Sequence, residues 1–420
     1  MIGLKINKIK NKDKITILIL CLLIIQSGSL QFALTFVEEN IQSKICAVVL
    51  VGMLAPFIII EFKRLAKVYM ISFFILSYFL CVDFLLYQES FFSLLMRSLW
   101  FYGFLGFCEY KKRRDNNVFR LFSEIIVVLA FVALVFWFLI SVVGLYDLGF
   151  TEMKTATMYS YFNWHGIFGY TPFYSIDFFG LQAYRLQGMF WEPGVYQFFL
   201  NLAIYHFMFE RKGEKKKIIL LYINLALTLS TTGMCIGILL LGIYITNLPK
   251  FRSSKKYLVL ISSFCVGVAG GYVVYVKWME SVNNIGIGSM YTRINDQLVG
   301  FQLFCENFLF GAGYDNTPLF EATQGWGRGS SSGFICWMYM MGIVGLVVVI
   351  YPFIKNIFRS KTQEIKRRRI ILFIIFILCN FSEPLYWAPL NWFWVASEYI
   401  KLHTYLRKGI DESKNQAEIF

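Results

Sequence analysis

The sequence predicts an all-α polytopic membrane protein with about twelve transmembrane helices and two large external loops. Of its 420 residues, 57% are hydrophobic and only 16% are charged. Apolar runs recur along the whole chain, many of them close to the about 20 residues that a bilayer crossing needs. The formal charge of +14 is segregated: 33 of the 40 Lys and Arg residues fall in segments 1–14, 61–67, 109–120, 210–217, 249–256, 355–369 and 401–420, as every second loop should. Basic residues collect on the cytoplasmic side of membrane proteins. The pattern therefore places both termini in the cytoplasm and assigns the positive charge to topology, with no nucleic-acid partner.

The first apolar run, 15–36, follows Lys5, Lys8, Lys10, Lys12 and Lys14 as the core of a signal peptide would. No convincing small-residue cleavage site comes after it, so it is expected to stay as the first span. Spans at 45–60 and 66–87 are parted by the basic stretch 61–67, and spans at 91–109 and 118–146 by 109–120. After the first long external loop, 147–192, come spans at 193–209, 218–230, 233–248 and 257–276. The second long loop, 277–332, precedes spans at 333–354, 370–382 and 388–402. Both long loops are rich in Tyr, Phe, Trp and Gly, a composition that suits folded caps touching lipid or sugar, although an aromatic belt at the headgroup level accounts for many of the rings. No repeat, low-complexity tract or separate soluble domain is visible; residues 1–420 form one membrane domain.

Against this apolar background the charged residues outside the basic loops are informative, because a membrane tolerates arginine and glutamate poorly. The run Arg185-Leu-Gln-Gly-Met-Phe-Trp-Glu-Pro-Gly194 ends the first external loop. Proline suits the first turn of a helix, where its missing N–H would lack a partner anyway, so the sixth span starts at Pro193 and turns its positive dipole end outward, toward an anion. Two readings of Glu192 stay open: a helix cap, or a carboxylate at a membrane cleft able to take a proton from a hydroxyl. In the second loop Arg293 heads an amphipathic segment that ends in the turn Phe310-Gly-Ala-Gly-Tyr314. Two external arginines from separate loops can grip a diphosphate, or each can meet lipid headgroups. A second Glu-Pro, Glu383-Pro384, closes the eleventh span and makes Glu383 a secondary candidate. The candidate residues are thus Glu192 and Glu383 for catalysis, and Arg185, Arg293, Gly194 and Tyr314 for substrate binding.

Other features carry blander readings. Arg97, inside the fourth span, needs a partner or water. Leu229-Ser-Thr-Thr-Gly233 reads as a hairpin turn whose hydroxyls cap helix ends. His165 reads as a loop-surface histidine. Eight of the nine cysteines lie in or beside apolar helices as small buried residues, and Cys305 lies in an external loop, so no disulfide framework is indicated. With three histidines, no metal-spaced Cys/His cluster and no glycine loop leading to Lys, the sequence indicates neither a metal nor a nucleotide cofactor.

Taken together, Arg185–Gly194, Leu229–Gly233, Arg293 with Phe310–Tyr314, and Gly342-Ile-Val-Gly345 resemble the Wzy-type O-antigen and capsular polysaccharide polymerases of the O-antigen polymerase and ligase superfamily. The resemblance implies a GT-C-like glycosyltransferase, independent of metal, in the bacterial cytoplasmic membrane. It implies joining of undecaprenyl-diphosphate-linked oligosaccharides on the outer face, with Arg185 and Arg293 at diphosphate groups, a chain-length regulator and a flippase being the partners beyond the lipid bilayer. The ligase branch carries a histidine where this chain has Gly329-Ser-Ser-Ser-Gly333, which favours polymerase over ligase and leaves Glu192, then Glu383, as the base. The chief competing class is a lipid-linked oligosaccharide flippase, expected to show repeat symmetry and polar residues through many spans. Here polar residues are expected to gather in the two external loops.

Overall fold

The computed structural model describes residues 11–30, 41–86, 91–114, 117–146, 148–154, 160–172, 175–178, 181–211, 213–246, 289–314, 316–325 and 329–417. The helices are α1 (Asn11–Gln26), α2 (Ile41–Leu86), α3 (Phe91–Arg113), α4 (Val118–Ser141), α5 (Pro193–Tyr205), α6 (Lys215–Leu227), α7 (Thr231–Thr246), α8 (Ser289–Glu306), α9 (Thr317–Gln324), α10 (Gly333–Phe358), α11 (Gln363–Ser382) and α12 (Pro389–Ala417). Between α4 and α5 run strands β1 (Thr151–Lys154), β2 (Ser160–Trp164), β3 (Phe168–Tyr170), β4 (Ser175–Phe178) and β5 (Leu181–Tyr184). The expected ninth span, 257–276, and residues 277–288 and 326–328 lie outside the described residues.

The architecture is mostly helical, as expected. Among the described residues, Lys44–Phe73, Val118–Ser141 and Gly333–Phe358 are long and apolar enough to cross a membrane, and Thr231–Ile245 is a shorter apolar helix. Their outer surfaces fit that setting: Ile59, Ile60 and Phe62 on α2 and Val128, Phe131 and Phe138 on α4 are exposed large hydrophobics. In water such a surface would be a liability.

Three expectations need correction. The segment between α4 and α5 departs from the all-α expectation. It carries an antiparallel β1-β2-β3 sheet and a β4-β5 hairpin, with Phe162 opposite Tyr170 and Tyr184 opposite Ser175. Its aromatic residues pack the sheet, Phe162 stacking on Tyr170 at 5.0 Å and Phe136 of α4 on Phe168 at 5.3 Å.

Second, the loop expected at 61–67 is helix: α2 is continuous over 46 residues. Nothing between Ile58 and Met70 breaks it, since Glu61, Lys63, Arg64 and Lys67 are good helix formers and no glycine or proline intervenes. The one carboxylate of this stretch is paired within the fold: buried Glu61 accepts from Arg113 of α3 and lies 4.0 Å from Arg64. At 1.5 Å per residue α2 is roughly 70 Å long, more than twice the about 30 Å of a hydrocarbon core.

Third, polar residues are not confined to the external loops. Gln197, Asn201, Asn224, Asn356, Asn380 and Asn391 are fully buried within helices. Some pair with one another, as where Asn380 and Asn391 exchange amide hydrogen bonds of 3.1 and 2.7 Å, and Asn356 donates to the Glu398 carboxylate at 2.7 Å. Arg97 also finds its partner inside the protein, its guanidinium lying 4.9 Å from the ring centre of Trp100, a cation–π contact one turn along α3.

The feature that fixes the segment after α8 is a break in α10 at Gly342, whose φ of 60° and ψ of −165° leave the helical region. The turn after α8 crosses this break. Ala312 and Gly313 donate their N–H groups to the carbonyls of Tyr339 and Met340, at 2.7 and 3.2 Å. Ile343 and Val344 donate to Phe308 and Leu309, at 2.8 and 3.2 Å. Irregular backbone survives in a membrane only where protein or a wet cavity satisfies it, and here the Phe308–Gly313 turn does so. Neither Gly311 nor Gly342 has room for a side chain: a Cβ at 311 would run into the Met340 backbone and one at 342 into the Leu309 backbone.

Candidate functional site

The site is built on the start of α5. Pro193 occupies the first turn, and Glu192, at φ −149° and ψ 141°, is the capping position. The cap reading fails in one respect: the Glu192 side chain makes no hydrogen bond to the helix N–H groups. It accepts instead from the Trp191 indole at 3.2 Å, and the Trp191 ring lies 5.8 Å from Trp387.

The second Glu-Pro turn arrives at the same place. α11 ends at Ser382, and Glu383 leaves the helix with extended backbone, its carbonyl accepting from Gly333 N at 3.0 Å. The Glu383 carboxylate packs against Gly194, where any Cβ would collide with it. Arg293 of α8 reaches the same carboxylate, Nη2 to Oε1 3.8 Å, while keeping 42% of its side chain exposed. Arg185 stands at the other flank. Its Nε donates to Thr228 O at 2.9 Å and its Nη2 to Leu229 O at 3.3 Å, so the α6–α7 turn fixes the guanidinium plane. Leu229 takes a φ of 49°, a rare value for leucine, and aims its carbonyl at the arginine. The turn also caps α7 as expected, Ser230 Oγ accepting from Gly233 N at 3.3 Å.

Electrostatics divides the two carboxyls. Burial first and the Glu192 carboxylate second push Glu383 well above the usual carboxylate range, against the pull of Arg293 and Arg185. Glu383 is the buried carboxyl of the pair, 2% exposed. Glu192, only half-buried, is the one a substrate can reach.

The structure therefore brings together five of the six residues singled out in the sequence: Glu192, Glu383, Arg185, Arg293 and Gly194. Tyr314 is different. It is 2% exposed and packs edge-on to Tyr386 at 6.2 Å, as a core ring. His165 is an exposed turn residue elsewhere, as expected.

Sequence reasoning missed the supports. Gln197, one turn into α5, donates to Ser382 Oγ at 3.4 Å and accepts from Asn201 at 2.9 Å, tying α5 to the Glu383 turn. Asp296, one turn after Arg293, accepts from Ser331 N at 2.8 Å and Ser331 Oγ at 2.6 Å. The serine stretch is in turn anchored to α10, where Ser332 Oγ accepts from Ile335 N at 3.5 Å. A polar residue spaced one turn from a candidate arginine was the available signal. Among the described residues no group of three or more His, Cys, Asp or Glu is arranged to hold a metal.

Gly194→Ala tests the packing. It is expected to displace the Glu383 carboxylate, lower stability by roughly 1–3 kcal/mol as other overpacked sites do, and abolish activity. Measured unfolding temperature and product length check it; an alanine variant with wild-type product would show that the contact is dispensable.

Residues 111–383 match the model of a family described as WcaD colanic acid polymerase. That stretch begins in the last turn of α3 and ends at Glu383, so it contains all six candidate residues. No curated protein and no solved structure matches the chain.

Proposed function

The chain belongs to the WcaD colanic acid polymerase family, and from that premise we propose that it is a membrane polysaccharide polymerase whose reaction takes place at Glu192, Arg185 and Arg293. Its substrates are oligosaccharide repeat units on undecaprenyl diphosphate. A hydroxyl of one unit attacks the anomeric carbon of the chain held on another; the new C–O bond forms as the bond to the diphosphate breaks. The hydroxyl proton passes to the Glu192 carboxylate. Arg185 and Arg293 receive the charge that develops on the departing diphosphate, and the outward end of α5 adds its dipole. Glu383, retaining its proton, is a hydrogen-bonding wall of the site.

The observation that carries this reading is the convergence of two arginines and two carboxyls at one helix N-terminus. Charge distribution supports the outer face. α5 leads from the site to the basic stretch 210–217, α10 leads from Gly333 to Lys355 and Arg359, and α11 runs from Lys366, Arg367, Arg368 and Arg369 back to Glu383. Three helices thus have one end at the site and the other among the basic residues that favour the cytoplasm. The buried polar residues remove one argument against a flippase, yet Gln197 bonds to Asn201 and to Ser382 beside this site, and the family favours polymerisation.

A surface-polysaccharide gel tests the reading. A strain lacking the protein is expected to make single-repeat product, lengthened by wild type but not by Arg185→Ala present at normal membrane levels. Long chains from the arginine variant would remove the diphosphate role. Loss of every outward-facing repeat unit in the deletion strain would turn the assignment to a flippase.

A further inference from the structure

Away from these charges, a cleft of about 270 Å³ lies between α1, α4 and the turn joining β2 to β3. Its wall is apolar, formed by Ile24, Ile25, Ile125, Leu129, Ile167 and Met189, and two polar residues line it, Ser29 and His165. Ser29 is 1% exposed, and among the described residues its hydroxyl has no hydrogen-bond partner. Buried hydroxyls are seldom left so. His165 is held at a φ of 47°, uncommon for a residue with a side chain. The turn that holds it is closed by Ile167 N to Trp164 O at 2.9 Å and by Gly166 N to Asn163 Oδ1 at 3.1 Å. The Trp164 ring lies 4.7 Å from Phe136, so the hairpin tip runs along α4 toward Leu129, leaving His165 at the exposed lip.

We propose that this cleft binds one hydrocarbon chain of a bilayer glycerophospholipid, whose ester or phosphate oxygens accept hydrogen bonds from Ser29 and His165. The volume is below the about 300–1,000 Å³ of a pocket for a whole small molecule, so it takes a length of chain. The wall faces lipid-exposed helices, and the unpaired donor marks where a head group with acceptor oxygens ends that chain. None of Arg185, Arg293, Glu192 or Glu383 lines the cleft. The turn at 188–191 is stitched to the end of α1 by Leu30 N to Met189 O at 2.8 Å and Trp191 N to Gly28 O at 3.2 Å. Among the described residues no arginine or lysine lines the cleft to receive a diphosphate, so the occupant comes from the bilayer rather than from the lipid carrier.

Photolabelling of the purified full-length protein in nanodiscs tests this. One probe is phosphatidylglycerol with a diazirine in its acyl chain; the other is a diazirine-bearing polyprenyl diphosphate. The acyl probe is expected to label peptides containing Cys21–Ser29 and Ile125–Leu129. Ile125→Trp, which fills the cleft, is expected to abolish that labelling. Ser29→Ala should reduce it roughly three- to tenfold, the worth of one hydrogen bond, while leaving the unfolding temperature of the delipidated protein equal or higher, since the hydroxyl has no protein partner to lose. Labelling unchanged in Ser29→Ala, or a polyprenyl probe that labels these peptides as well as the acyl probe does, would overturn the proposal.

Discussion

Glu192→Gln is expected to slow polymerisation by about 10²- to 10⁴-fold, the contribution of a positioned general base, without changing the unfolding temperature. The side chain makes no capping bond, so little structure depends on its charge. Glu383→Gln is the contrasting variant. Glutamine copies the shape of a protonated glutamate, and the rate is expected to stay within about tenfold of wild type. Its effect lies in the pH dependence of stability. The folded state binds the Glu383 proton more tightly than the unfolded chain does, so this group favours folding fully at low pH. That favour is lost as pH rises above the unfolded value of about 4.3 and through the raised folded value. Unfolding temperatures taken across pH should therefore fall less steeply in Glu383→Gln than in wild type. A Glu192→Gln enzyme that polymerises normally beside an inactive Glu383→Gln enzyme would exchange the two roles.

The largest effect on stability is expected at the crossing of α10 by the turn after α8. Gly311→Ala and Gly342→Ala each put a Cβ into neighbouring backbone at a positive φ, 79° and 60° respectively. Overpacking and backbone strain together predict a loss of roughly 2–6 kcal/mol. Gly149→Ala separates the two causes. Its φ is 76°, yet nothing lies within 4 Å of the added Cβ, so only the strain of about 1–2 kcal/mol should appear. Thermal unfolding in detergent measures all three. Equal losses at 149, 311 and 342 would mean that the crossing contributes no packing.

What the sequence made legible follows from cost. Arg185, Arg293, Glu192 and Glu383 stand out because charge beside an apolar run is expensive enough to need a reason, and Pro193 marks a helix start because of its missing N–H. Gln197, Asn201 and Asn224 were averaged away inside apolar windows, although their amides hold the site's helices together. The charges at 61–67 read as a loop because basic stretches usually face water, whereas Glu61 buries its carboxylate against Arg113 and lets α2 continue. The strands of the first loop were hidden because rings that pack a sheet and rings that line a headgroup belt have the same composition. The glycines at 311 and 342 were both visible, but nothing local says that residues about thirty apart share hydrogen bonds.

The crossing also bears on biosynthesis. Neither Gly333–Met341 nor Ile343–Phe358 reaches the about 20 residues of an independent membrane span, and the backbone groups around Gly342 are satisfied only by a segment translated earlier. The two halves of α10 thus leave the ribosome after the Phe308–Gly313 turn that completes them. Stable integration of α10 then waits for that turn, so the helix is inserted as a partner of the preceding segment and not as an autonomous hydrophobic segment.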